Sequence, residues 1–129
     1  MLIILDSSML MLPLENKINL SSEINRLITK NHKIVVPKIV LEELTSLLNS
    51  ASTVTTNKAS FALSLAEKFA IIESNTGIHP DTEIVRLAEE KKAIVATNDK
   101  EMRQKLLDKG IAVISLHGKN RLSLFGYIE

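Results

Sequence analysis

The chain has 129 residues, 45% of them apolar, with three Phe, one Tyr, no Trp, no Cys and a formal net charge of +1. That length suits one domain burying roughly two-thirds of its unfolded surface, and the apolar content excludes disorder. The near-neutral charge excludes a domain that grips nucleic acid by bulk basicity; the missing cysteines exclude disulfides, thiolate zinc sites and thiol nucleophiles, and fit a reducing, cytoplasmic setting.

The apolar start, Leu2-Ile3-Ile4-Leu5, has no preceding Lys or Arg, and no stretch approaches the ~20 apolar residues of a membrane span. The expectation is a soluble, untargeted single domain over residues 1–129. Residues 2–5 read as a central strand that delivers Asp6 to its carboxyl end, with Ser7 and Ser8 able to satisfy the turn. An apolar turn then runs to Pro13. Leu20, Ile24, Leu27 and Ile28 fall at helical spacing, so a helix is expected over 20–29 with Ser21 and Ser22 as candidate caps.

Residues 33–36 form a second short strand, and Pro37 opens a helix over 38–49 whose apolar face is Ile39, Val40, Leu44, Leu47 and Leu48. Glu42 and Glu43 both lie about one turn in; one of them can point back over the strand edge. The Ser- and Thr-rich stretch 50–57 reads as a loop or helix interruption, followed by a helix over 58–68 and a third strand over 70–73. After turn material at 74–77, Ile78-His79-Pro80 leads to Asp81 at the start of a helix with Ile84, Val85, Leu87 and Ala88 on one face.

Residues 93–96 read as a buried strand that runs through Thr97 and Asn98 to Asp99 and a helix over 100–109, ended by Gly110. A last strand covers 111–116, and His117-Gly118-Lys119-Asn120-Arg121 is a basic turn. Alternating strands and helices predict a three-layer α/β/α architecture with a doubly wound, central parallel sheet.

Asp6, Glu43 (or Glu42), Asp81 and Asp99 each fall where the chain leaves a strand or enters a helix. Any one of them alone is a plausible cap, contributing about 1 kcal/mol. At Asp99 the sequence offers Asn98 as the cap, with Glu101 closing a capping box, so the cap does not require Asp99. Two carboxylates about 4 Å apart repel by ~4 kcal/mol at an intermediate dielectric, so gathering several implies a cation. An oxygen-only ligand set suits Mg²⁺ or Mn²⁺. His32, His79 and His117 fall in turns without metal-ligand spacing and read as surface residues, and the four methionines as core or turn filler.

The order Ile3-Ile4-Leu5-Asp6-Ser7-Ser8, Val36-Pro37 through Glu42-Glu43-Leu44, Asp81-Thr82-Glu83-Ile84-Val85-Arg86-Leu87-Ala88 and Val95-Ala96-Thr97-Asn98-Asp99 resembles a PIN domain over essentially the whole chain. The resemblance implies that Asp6, Glu43, Asp81 and Asp99 bind one or two Mg²⁺ or Mn²⁺ ions and cut single-stranded RNA, with Ser8 and Thr97 assisting. The implied chemistry is hydrolysis that leaves a 5′ phosphate and a 3′ hydroxyl, and Lys100, Arg103, Lys119 and Arg121 are the basic residues placed to hold the RNA backbone. The last third is similar to small archaeal PIN proteins of the rRNA-processing kind, with VapC toxins as relatives of similar length. Candidate associates are therefore a second copy of the chain, an antitoxin or a ribosome-assembly partner. Ser7-Ser8 and Thr82-Glu83 depart from the commoner family residues at those places.

Two rivals compete with this reading. A phosphoacceptor receiver domain wants an acidic pair after the first strand and an acceptor Asp after the middle one; here two serines follow Asp6 and no Asp follows Val36. A catalytically inactive PIN scaffold, binding RNA or a protein through the same fold, differs only in the geometry of the metal site.

Overall fold

The computed structural model describes residues 1–128. Six strands form one sheet: β1 (Leu2–Leu5), β2 (Lys33–Pro37), β3 (Ala70–Ile72), β4 (Ile94–Ala96), β5 (Val113–His117) and β6 (Arg121–Phe125). Their order across the sheet is β3-β2-β1-β4-β5-β6. The first five run parallel and β6 lies antiparallel to β5. The expected central parallel sheet is present in β1 to β5, and β6 adds an antiparallel edge strand that the sequence reading lacked: Leu122, Ser123 and Leu124 pair back onto β5 after the basic turn at Gly118.

The chain winds outward from β1 to β3, then crosses back to lay β4 on the other side of β1. The order reverses between β1 and β4, and in open α/β sheets such a reversal opens a crevice at the carboxyl ends of the strands. β1 can occupy this central position because Ile3, Ile4 and Leu5 are fully buried; truncating one of them to Ala should cost about 2–5 kcal/mol. Val35, Val36, Ile94, Val95, Val113 and Ile114 continue the same core.

Among the described residues six helices accompany the sheet: α1 (Ser7–Glu15), α2 (Leu20–Leu27), α3 (Lys38–Leu47), α4 (Thr53–Ala66), α5 (Pro80–Lys91) and α6 (Lys100–Asp108). α1 replaces the expected apolar turn. Pro13 forfeits one helical bond, but it lies near the helix end, and the Asp6 cap with burial of Met9, Leu10 and Leu12 outweighs that loss. α4 likewise begins inside the stretch expected to be a loop: the Ser52 hydroxyl accepts from the Thr55 N–H (3.3 Å), so the serine and threonines start a helix rather than interrupt one. Gly110, at φ +77, ends α6 as the sequence suggests.

The free margin of β6 is partly occupied. The Leu122 N–H donates to Glu23 of α2 (2.9 Å), and Arg26, paired with Glu23, donates to the Leu122 carbonyl (2.8 Å). Two side chains thereby take the bonds a neighbouring strand would make. Among the described residues no helix is long and apolar enough to cross a membrane.

Candidate active site

β1 and β4 end side by side, with the Asp6 N–H donating to the Ala96 carbonyl (3.2 Å). Asp6, the next residue, caps α1 and is only 4% exposed. Its Oδ1 accepts from the Met9 N–H (2.9 Å) and the Ser8 hydroxyl (2.8 Å), and its Oδ2 accepts from the Thr97 hydroxyl. The two hydroxyls lie 3.2 Å apart. Each is fed by a backbone amide from the turn after β4: Asn98 N–H donates to Ser8 Oγ (2.9 Å) and Asp99 N–H to Thr97 Oγ1 (3.1 Å). Ser8 and Thr97 therefore fix both oxygens of a buried carboxylate across the crevice.

Burial is the dominant influence on Asp6. It raises the carboxyl from its ordinary 3.8 to about 6, against the opposing hydrogen bonds from Thr97, Met9 and Ser8, and the negative charge of Asp81 adds to the rise. Asp81 belongs to α5, which packs against β1 and β4. Asp81 sits in the first turn of α5, where its N–H donates to Nδ1 of the capping His79 (3.1 Å). Its half-buried carboxylate carries no hydrogen bond or ion pair among the described residues, and it borders a groove of about 530 Å³ between α5 and α6.

Asp99, not Asn98, caps α6. Its Oδ1 accepts from the Glu101 N–H (2.9 Å) and the Met102 N–H (3.2 Å). The expectation that the cap could do without Asp99 is corrected: α6 starts at Lys100, so the Asp99 side chain is the one beside its first free amides and Asn98 lies a residue too early. Capping uses one oxygen of the two; the other has no hydrogen bond or ion pair among the described residues, and the residue is exposed. On α3, Glu43 is half-buried beside Leu44, whereas Glu42 is exposed in a groove with Lys38 and Thr45.

The four carboxylates thus lie at strand ends and helix starts but do not close around one point. Among the described residues no three acidic or imidazole groups stand close enough to hold an ion. Asp6, Ser8, Thr97 and the start of α6 are bonded into one unit, Asp81 is coupled to it by charge, and Glu43 has no recorded contact with either.

Of the basic residues, Lys100, Lys119 and Arg121 are exposed, at the start of α6 and in the turn between β5 and β6. Arg103 is held differently, with its guanidinium 4.8 Å from the centre of the Phe125 ring, a cation–π contact. His79 and His117 are exposed and His32 is half-buried between Asn25 and Lys30.

One residue escaped the sequence reading. Glu83 is 0% exposed and receives Arg86 through Nε (2.7 Å) and Nη2 (2.8 Å), and also the Asn75 N–H. The Arg86 fork holds its carboxyl below the usual range. The sequence signals were the departure of Thr82-Glu83 from the commoner family residues and an Arg three residues on, which ordinarily marks a solvated pair.

Fold and site together define a doubly wound α/β domain with an acidic edge at its strand crossover. A PIN-like domain family matches residues 3–119. The chain is 33% identical over 128 residues to the ribonuclease VapC4 of Methanocaldococcus jannaschii, covering 98% of each chain. It belongs to the PIN-like domain family. Among solved structures it is similar to the PIN domain endonuclease Utp24 (TM-score 0.79, 23% identity, 99% of this chain and 93% of that one). It also resembles a domain of a protein of unknown function from M. jannaschii (TM-score 0.66, 16% identity, 99% and 96% covered). Both show the fold.

In donor chemistry, though not in spacing, the set suits a hard divalent cation. The carboxylates of Asp81, Asp99 and Glu43 each keep free oxygens, and a buried Asp6 that ionises only reluctantly is stabilised by a nearby positive charge.

Proposed function

We propose that the chain is a Mg²⁺- or Mn²⁺-dependent endoribonuclease that hydrolyses phosphodiester bonds of single-stranded RNA. The observation that carries this reading is Asp6, a buried carboxylate whose two oxygens are fixed by Ser8 and Thr97 at the strand crossover, with the charge of Asp81 beside it. Full-length similarity to a VapC ribonuclease supports it.

Asp6, Glu43, Asp81 and Asp99 would hold the ion, which when bound supplies the charge that activates water and stabilises the attacked phosphate. The protein's own residues do the rest. Ser8 and Thr97 keep Asp6 from rotating, and the α6 amides anchor Asp99 through one oxygen while leaving the other free. Lys100, Lys119 and Arg121 hold the RNA phosphates at the rim, with Arg103 a weaker candidate because it is engaged by Phe125. Water adds at phosphorus and the 3′ oxygen departs, giving a 5′ phosphate and a 3′ hydroxyl. In this reading the protein works in the cytoplasm, in rRNA processing or as a toxin, with a ribosome-assembly factor or an antitoxin as associate.

Incubating end-labelled single-stranded RNA with the protein and Mn²⁺ tests the proposal. Cleavage should vanish with EDTA and fall at least 100-fold in Asp6→Asn and Asp99→Asn. Undiminished cleavage in both variants would overturn the assignment; binding without cleavage by the unaltered protein would mark it as an inactive scaffold.

A further inference from the structure

We infer that Glu83 is a positioning residue: through the loop at 73–79 it fixes α5 against α3, and with them the relative placement of Asp81 and Glu43. The inference rests on the reading of those two carboxylates as ion ligands.

An Arg–Glu pair three residues apart on one helix has no need of burial, since on a surface it forms equally well in water. Glu83 is nevertheless fully enclosed, and sinking a carboxylate is tolerable only when its lone pairs are filled. Arg86 fills part of them. The remaining donor, the Asn75 N–H, comes from outside the helix, from the loop that follows β3.

The preceding loop residue makes the complementary bond. Ser74 Oγ accepts from the Ile39 N–H (2.8 Å), in the first turn of α3. Pro37, which caps that helix, has no side chain able to accept there, so Ser74 supplies the acceptor from across the structure. Lys38 and Glu73 add an ion pair at the surface (3.1 Å). Consecutive residues 74 and 75 therefore grasp α3 and α5 respectively.

Each grasped helix carries one of the two carboxylates read as ion ligands, and neither the Asp81 nor the Glu43 carboxylate has a hydrogen bond among the described residues. Their positions follow their helices alone. Glu43 lies five residues beyond Lys38, about 7.5 Å along the axis, so a tilt at the helix start is carried to it. Mg²⁺ demands near-ideal octahedral geometry, whereas Ca²⁺ accepts irregular sets; a displacement of about 0.5 Å is enough to disturb a preorganised site.

The test measures ion binding rather than turnover. Mn²⁺ affinity is read by electron paramagnetic resonance, and Mg²⁺ and Ca²⁺ by competition, for the unaltered protein, Glu83→Gln and Ser74→Ala. Both variants should bind Mn²⁺ at least 10-fold more weakly, and Mg²⁺ should lose more than Ca²⁺, a change of selectivity that mere loss of stability does not produce. Ser74→Ala is decisive because it lies in a loop and leaves the Glu83–Arg86 fork intact. If it binds Mn²⁺ within twofold of the unaltered protein, the loop does not position the ligands and the inference fails, whatever Glu83→Gln does. Unaltered protein that takes up no Mn²⁺ would instead overturn the ion-ligand reading, and this inference with it.

Discussion

Replacing Asp6 by Asn should stabilise the metal-free protein while abolishing its proposed activity. In the folded chain the carboxyl titrates at about 6 instead of 3.8, chiefly through burial. The folded state therefore binds the proton more tightly than the unfolded one, and stability falls as pH rises between those values. At about 1.36 kcal/mol per pH unit, the full loss is about 3 kcal/mol, complete above pH 6. Asn escapes it. Its Oδ1 can still accept from the Met9 amide and Ser8, and its Nδ2 can donate to Thr97 Oγ1. Urea denaturation in EDTA should show Asp6→Asn more stable by about 2–3 kcal/mol at pH 8, roughly 10 °C in melting temperature, with the gap narrowing below about 1 kcal/mol at pH 4. A variant no more stable than the parent at pH 8, or a gap independent of pH, would refute the view that Asp6 is held at a cost which a bound cation relieves.

Thr97→Val removes the hydroxyl that donates to Asp6 and accepts from the Asp99 amide; it should cost about 1–3 kcal/mol in the same assay, with the larger deficit at pH 8, where Asp6 is ionised. Asp99→Ala should lose about 1–2 kcal/mol through the missing α6 cap, whereas Asp99→Asn should keep that stability and lose RNA cleavage, separating the two duties of one side chain. In the double variant Glu23→Ala/Arg26→Ala the Leu122 amide should exchange with deuterium faster, and light scattering should show concentration-dependent self-association. An unchanged exchange rate would mean the pair does not protect the strand.

Most of the framework was legible because β1, β2, β4 and β5 are apolar runs closed by polar turns, and a run buried on both faces has few alternatives. Asp6, Asp81 and Asp99 could be placed at strand ends and helix starts for the same reason. What stayed hidden was decided by contacts distant in sequence. Pro13 and the serines and threonines before Asn57 look like breakers until burial and capping are known. Asp99 was excused from capping because Asn98 is as good a cap by residue type; the start of α6 at Lys100, one residue later than that reading needs, decides for Asp99. Glu83 was noted only as a departure from the family pattern, because nothing local announces the Asn75 donor that makes its burial tolerable. Placing the carboxylates on one edge was within reach of pattern; their spacing was not.

The Glu23–Arg26 grip on Leu122 bears on how these molecules behave when crowded. With that residue's outward bonds taken, β6 offers an incoming chain little beyond Leu124 before the backbone bends at Gly126, where φ is +87. The opposite margin, β3, is three residues long. Neither flank can template a stack that lengthens indefinitely, so copies meeting at high concentration would collide as finished bodies instead of seeding fibrils.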